Sequence, residues 1–158
     1  MRTQLLTALV LGGCLLGIPA AGRAQEKEAV RIFGSMEEAA PSPARPVLLV
    51  FFSLACHVCW EELFEMRHFL EQNSIPVDLV GVCREPQEEL VEFLSKYKFY
   101  CPVVCDREKA LFKKFKVRLE PFCAILHQGA VIYEDDRSLD LFARRNEVKR
   151  WLVEIASR

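Results

Sequence analysis

An uninterrupted apolar run at residues 47–52 is the pattern around which the rest of the chain is arranged. Apolar positions that do not alternate with polar ones, several of them β-branched or aromatic, predict a strand that is buried on both faces. A segment with apolar residues at helical spacing follows almost at once, with Leu63, Met66 and Leu70 on one side. The sequence therefore predicts a buried strand that leads directly into an amphipathic helix.

The hydrophobic pattern further along the chain predicts more strands and helices in alternation, ending in a hairpin and a last helix. Gln128-Gly129 is the predicted hairpin turn, and helices are predicted after Pro86 and Asp106 and over residues 146–156, with Ser138 as the cap of an earlier turn. Further strands are predicted at residues 30–33, 77–82, 102–105, 122–127 and 131–133. The order βαβαβαββα from residue 47 onward predicts an α/β fold with a central mixed sheet flanked by helices.

The N-terminal residues have the pattern of a secretory signal peptide. A positive start at Arg2 precedes an apolar stretch at residues 5–18, and small residues before Ala24 form a cleavage signature. An alternative is that Leu11-Gly12-Gly13-Cys14 is a lipobox with a lipidated Cys14, but the residues after Cys14 stay apolar, which favours a soluble product. We expect a signal peptide at residues 1–24, an entry segment at 25–46 and one domain at 47–158.

The composition limits the kinds of binding partner and the cellular compartment that we expect. The chain is 51% hydrophobic and 27% charged with a net charge of −1, so there is no electrostatic basis for binding nucleic acid or an anionic membrane surface. Seven cysteines fit an oxidising compartment. We expect a periplasmic or secreted monomer that has no membrane span in its mature form.

The candidate chemistry lies where the central strand meets its helix, at Cys56-His57-Val58-Cys59. A C-x-x-C between a buried strand and a helix N-terminus is typical of thioredoxin-like redox sites, because the free amides and the helix dipole stabilise a thiolate on the first cysteine. Cys56 is therefore the predicted nucleophile and Cys59 the resolving cysteine, which attacks a mixed disulfide. The alternatives are a plain structural disulfide and half of a zinc site.

Four features in register resemble bacterial extracytoplasmic thiol-disulfide oxidoreductases of the TlpA/ResA-like, redoxin or AhpC-TSA-like group. They are the strand leading into the C-x-x-C, the Phe99–Asp106 segment, the Val117–Phe122 stretch and the Gln128–Val131 turn. The resemblance implies a thioredoxin-like fold, a cis peptide bond before Pro121 and a buried glutamate at Glu62. It also implies protein thiol or disulfide substrates, reduced or isomerised with an upstream redox partner, and no cofactor beyond the redox-active disulfide.

The chain also departs from the thioredoxin pattern. Val50 stands where thioredoxins carry a buried aspartate, which leaves Glu62 as the predicted proton acceptor for Cys59. Protonated His57 would stabilise a thiolate, whereas Glu120, beside the predicted cis-proline, would oppose one. These two residues are the predicted redox-tuning groups.

The remaining cysteines and two other functions stay open. Cys83 and Cys105 end what should be adjacent parallel strands, so a second disulfide is geometrically allowed, while Cys101 and Cys123 are expected to be buried hydrophobes. One alternative function is a copper-binding or copper-delivery module in which Cys56, Cys59, Cys83 and His57 converge. The other is a thiol peroxidase, suggested by Ser53 three residues before Cys56. A DsbA-type oxidase is disfavoured by the short interval between Cys59 and Pro121.

Overall fold

The computed structural model describes residues 29–42 and 44–157. The predicted signal peptide and Cys14 lie outside the described residues, and so do residues 25–28 of the predicted entry segment. In chain order the elements are β1 (Arg31–Phe33), α1 (Met36–Ala39), β2 (Val47–Phe51), α2 (His57–Gln72), β3 (Asp78–Cys83), α3 (Gln87–Lys96), β4 (Pro102–Cys105), α4 (Ala110–Lys114), β5 (Phe122–His127), β6 (Ala130–Glu134) and α5 (Leu141–Ala156).

Strand β2 lies inside the sheet, and all five of its residues are buried, as its unbroken apolar run predicts. It pairs in parallel with β3 and antiparallel with β5. Among the described residues, six strands form one mixed sheet in the order β1-β4-β3-β2-β5-β6. The hairpin between β5 and β6 turns at Gln128 and Gly129, which both have positive φ, as a tight two-residue turn requires.

Helices cover both faces of the sheet and create two hydrophobic cores. The larger core lies under α2, α3 and α5 and includes Cys59, Leu63 and Met66. The smaller core lies under α1 and α4, where Phe51 packs edge-on against Phe112 with ring centroids 5.1 Å apart. Strand β2 contributes alternate residues to the two cores, and the loop that leads to Cys56 leaves from its carboxyl end.

Some details differ from the sequence predictions. Helix α5 begins at Leu141 rather than near residue 146, because the Asp140 carboxylate accepts a hydrogen bond from the Ala143 amide at 2.8 Å. The predicted cap, Ser138, does not serve the helix, since its hydroxyl donates to Asp136. On α3 the buried residues are Leu90 and Leu94, whereas Val91 is exposed, as is Tyr97 at the C-cap. None of the helices in the described parts of the chain meets the length and hydropathy needed to cross a membrane.

Candidate active site

The site is built on the first turn of α2. Cys56 is the N-cap residue, and the Cys59 amide in the first turn of the helix donates to the Cys56 sulfur at 3.3 Å and to the Cys56 carbonyl oxygen at 3.1 Å. Cys56 and Cys59 form a disulfide with a Cα–Cα distance of 5.3 Å. Cys59 is fully buried, while Cys56 is partly exposed. Of the two sulfurs, the one that a substrate can reach is therefore that of Cys56.

A second segment faces the disulfide from the start of β5. The peptide bond between Glu120 and Pro121 is cis, and the Glu120 carbonyl oxygen lies 4.0 Å from the Cys56 sulfur. Leu119, just before this bond, is 81% exposed. The outer end of the segment thus presents backbone and an apolar side chain to solvent next to the reactive sulfur.

Glu62 lies on the same face of α2 as Cys59, one turn further along, and is only 1% exposed. Burial raises the pKa of its carboxyl group, and the Arg145 guanidinium partly counters this effect. Arg145 reaches in from α5 and donates two hydrogen bonds to one Glu62 oxygen, at 2.9 Å from Nε and 2.7 Å from Nη2. Sequence reasoning missed Arg145, although a carboxylate predicted to be buried implies a cationic partner somewhere in the chain.

A second buried ion pair anchors β5 behind the site. Asp135 accepts hydrogen bonds from the Cys123 amide and the Tyr133 hydroxyl, each at 2.9 Å. Arg144 lies 3.1 Å from the same carboxylate and also donates to the Pro121 carbonyl at 3.0 Å. Burial raises the pKa of Asp135. This network, which was not predicted, ties the cis-proline to α5.

The two predicted tuning residues are each paired with a neighbour. His57 is 78% exposed and lies 3.4 Å from the Glu61 carboxylate. Glu120 is paired with Arg84 at 3.2 Å, and burial raises the pKa of its carboxyl group. The positive charge of a protonated His57 and the negative charge of Glu120 are thus both partly balanced locally, which reduces the effect of either on Cys56.

An aromatic cluster joins the first turn of α2 to α3 and its C-cap. Trp60 packs against Phe93 and Tyr97, with centroid distances of 4.5 and 5.0 Å. The Trp60 indole N–H donates to the Ser53 carbonyl at 3.3 Å, which restrains the loop before Cys56. Trp60 therefore positions the loop and helix that carry the two cysteines.

Cys83 and Cys105 are register partners on β3 and β4, and in the structure both are free thiols. The Cys83 thiol donates to the Glu85 carboxylate at 2.7 Å, and the same carboxylate accepts the Leu54 amide at 3.3 Å. Glu85, which sequence reasoning did not single out, thus connects the end of β3 to the loop that leads to Cys56. Cys101 and Cys123 are buried, as expected.

The set of ligands proposed for copper does not assemble. Within residues 29–42 and 44–157, no three His, Cys, Asp or Glu side chains are grouped in a way that could hold a metal ion. A cavity of about 560 Å³, lined in part by Arg31, Arg67 and Tyr100, lies at the opposite edge of the sheet and includes none of the site residues. Of the active-site disulfide, only the Cys56 half reaches the surface.

Comparisons with known proteins agree with this geometry. The profile of the AhpC/TSA family matches residues 34–139. No curated protein sequence matches the chain significantly.

Among solved structures, StoA from Bacillus subtilis is similar with 24% identity and a TM-score of 0.55, over 70% of this chain and 84% of that one. A secreted Mycobacterium tuberculosis disulfide oxidoreductase homologous to E. coli DsbE has 16% identity and a TM-score of 0.52, over 70% and 81%. Xanthomonas campestris peroxiredoxin Q has 20% identity and a TM-score of 0.62, over 73% and 83%. The predicted thioredoxin-like α/β fold is confirmed.

Proposed function

The chain belongs to the AhpC/TSA family, and from this premise we propose that it is an extracytoplasmic thiol-disulfide oxidoreductase that reduces or isomerises disulfides in other proteins. One observation carries the proposal. A disulfide caps the N-terminus of a helix with one sulfur partly exposed and the other buried, and a cis-proline segment faces it. A purely structural disulfide would need neither the exposed sulfur nor the open segment beside it.

The reaction begins with the reduced form of the site. The Cys56 thiolate, stabilised by the amides of the first turn of α2, attacks one sulfur of a substrate disulfide. The substrate S–S bond breaks, one substrate sulfur leaves as a thiolate, and the other is joined to Cys56. Cys59 then attacks the Cys56 sulfur, the Cys56–Cys59 disulfide forms and the second substrate thiol is released. A reduced thiol partner supplies the two electrons that reset the enzyme.

Glu62 takes the proton from Cys59 in the second step. A carboxylate acts as a base only while it is ionised, and burial alone works against ionisation. The two hydrogen bonds from Arg145 favour the ionised form, so the pair provides a buried base one helical turn from the buried thiol. Arg145 is thus a positioning residue, since it acts through Glu62.

The segment before Pro121 is the proposed contact for the substrate backbone. The Glu120 carbonyl lies close to the Cys56 sulfur, so an extended chain bonded to Cys56 passes along this segment and pairs with its backbone. The exposed Leu119 adds an apolar contact. This arrangement fits a polypeptide substrate better than a small molecule.

The remaining parts of the proposal come from the sequence. We infer a signal peptide at residues 1–24 and an entry segment at 25–46 before the domain at 47–158, which place the mature protein in the periplasm or outside the cell. Lipidation at Cys14 is the alternative, and the mass of the mature N-terminal peptide distinguishes the two. The proposed oligomeric state is a monomer.

A trapping experiment tests the division of roles between the cysteines. Cys59→Ala should accumulate covalent complexes with protein substrates that dithiothreitol releases, because the resolving thiol is missing. Cys56→Ala, the matched control, should form none. Equal trapping by both variants would contradict the assigned roles. Wild-type protein that consumes peroxide but does not reduce insulin disulfides would favour the thiol peroxidase alternative instead.

A further inference from the structure

Cys83 and Cys105 lie side by side at the carboxyl edge of the sheet. They are direct partners in the parallel pairing of β3 and β4, so their side chains leave the sheet on the same face. Neighbouring strands are spaced about 4.7–4.9 Å apart, within the Cα–Cα range of about 4.4–6.8 Å found in disulfides. The spacing of the two strands therefore meets the Cα criterion for a disulfide between these residues.

Both thiols converge on Glu85. The Cys83 sulfur lies 2.7 Å from a carboxylate oxygen of Glu85, and the Cys105 sulfur lies 3.4 Å from its carbonyl oxygen. Cys83 is fully buried and Cys105 is partly exposed. One accessible sulfur, one buried sulfur and a carboxylate beside the buried one are the same three parts that Cys56, Cys59 and Glu62 supply.

We propose that Cys83 and Cys105 form a second redox-active dithiol, oxidised by low-molecular-weight disulfides such as glutathione disulfide, with Glu85 as its proton acceptor. The Cys105 thiolate attacks the small disulfide, whose S–S bond breaks to give a mixed disulfide on Cys105 and one free thiolate. Cys83 passes its proton to Glu85 and attacks the Cys105 sulfur. The Cys83–Cys105 disulfide forms, and a second small thiol leaves. Two protein thiols are oxidised and one small disulfide is reduced to two thiols.

The difference in burial between the two thiols determines which one attacks first. Burial raises the pKa of both, so both react more slowly than a thiol at a helix N-terminus, and Cys105 reacts first because it is the more exposed. Burial would also raise the pKa of Glu85, but hydrogen bonds from Cys83 and Ser53 outweigh it and lower that pKa, which keeps the carboxylate ionised. The ionised Glu85 carboxylate accepts the hydrogen bond of the Cys83 thiol and so also disfavours the Cys83 thiolate. Transfer of the Cys83 proton to Glu85 is therefore uphill, and closure of the bridge is the slow step.

The second pair is also linked to the first site. The Glu85 carboxylate that accepts the Cys83 thiol accepts the Leu54 amide as well, two residues before Cys56. Oxidation of the second pair removes one of these two hydrogen bonds. This inference does not depend on the proposed function of Cys56 and Cys59, because the chemistry of the second pair needs neither of them.

The experiment uses the full chain with Cys56→Ala and Cys59→Ala, so that the first site is silent. The protein is incubated with glutathione disulfide, quenched in acid and alkylated, and the products are identified by intact mass and peptide mapping. We expect the loss of two alkylatable thiols and a peptide cross-link between Cys83 and Cys105. Cys101→Ala, added to this background as the matched control, should leave the cross-link intact.

Two further variants separate the steps. Cys83→Ala should stop at a glutathione adduct on Cys105. Glu85→Gln should slow closure of the bridge by at least about tenfold, since a general base is lost. Absence of the cross-link in a protein with an unchanged circular dichroism spectrum would overturn the proposal, as would cross-linking through Cys101 in place of Cys105. Insulin reduction by the wild type is a separate readout, so failure of the proposed function would be seen independently.

Discussion

Replacing Arg145 with methionine isolates the effect of the guanidinium on Glu62. The Glu62 side chain is only 2% exposed and accepts two hydrogen bonds from Arg145. Methionine keeps much of the apolar stem of the arginine, so packing against α2 is largely preserved while the charge is lost. Glu62 would then be a buried carboxylate without its cationic partner.

The magnitude follows from the cost of an unpaired buried charge. Removing one member of a buried ion pair costs about 3–5 kcal/mol, and because the Arg145 side chain is 23% exposed we expect about 3 kcal/mol near pH 8. The folded pKa of Glu62 is already raised above its unfolded value by burial, and losing Arg145 raises it further. A folded carboxyl group with a raised pKa binds its proton more tightly than the unfolded chain does. Stability therefore falls as pH rises through the folded pKa, and the loss should shrink to below about 1 kcal/mol near pH 4.

The assay is urea unfolding of the oxidised wild type and variant near both pH values, with midpoints compared at constant m-value. Lys149→Met, which breaks the more exposed pair with Glu65, is the control and should cost less than about 1 kcal/mol at either pH. The double variant with Glu62→Gln should recover part of the stability lost near pH 8, because no charge is then buried. A loss from Arg145→Met that is equal at the two pH values, with no recovery in the double variant, would refute the reasoning.

Two further outcomes test the packing and the electrostatics around the site. Gly81→Ala should destabilise the fold by about 1–3 kcal/mol, because the added carbon would lie 2.9 Å from a ring carbon of Phe52. Gly34→Ala, where the nearest atom is 3.9 Å away, is the control for chemical denaturation, and an equal loss at both positions would contradict the packing argument. Glu120→Gln should increase the rate of alkylation of Cys56 in the reduced protein near neutral pH, since a carboxylate that opposes the thiolate is removed. An unchanged rate would mean that the Glu120 charge does not reach the sulfur.

The central strand and the hairpin turn could be predicted from the sequence because each depends on interactions among a few neighbouring residues. The apolar run at residues 47–52 has no polar face, so it is stable only as a strand inside the sheet. A two-residue hairpin turn needs positive φ, which Gln128 and Gly129 both adopt. The resemblance to the AhpC-TSA-like group is confirmed by the family match. The redox pair at the start of α2 follows from the same local pattern.

Other features could not be predicted because they join residues far apart in the chain. Arg145 lies 83 residues from Glu62 along the chain, and nothing around either residue identifies the other as its partner. The Asp135–Arg144 pair depends on where α5 begins, which Asp140 decides by capping the helix earlier than the apolar spacing alone predicts.

The sequence by itself thus determined which segments are strands and helices and where the reactive cysteines lie. The spacing of buried residues, the turn residues and the helix caps all act over only a few residues of the chain. Only the tertiary structure decided which charges meet. It placed Arg145 on Glu62 and Arg84 on Glu120, pairs that are 83 and 36 residues apart in the chain. The physical reason is that a buried charge or thiol needs some partner, while many residues of the right type compete, and only the packing of the elements selects one of them.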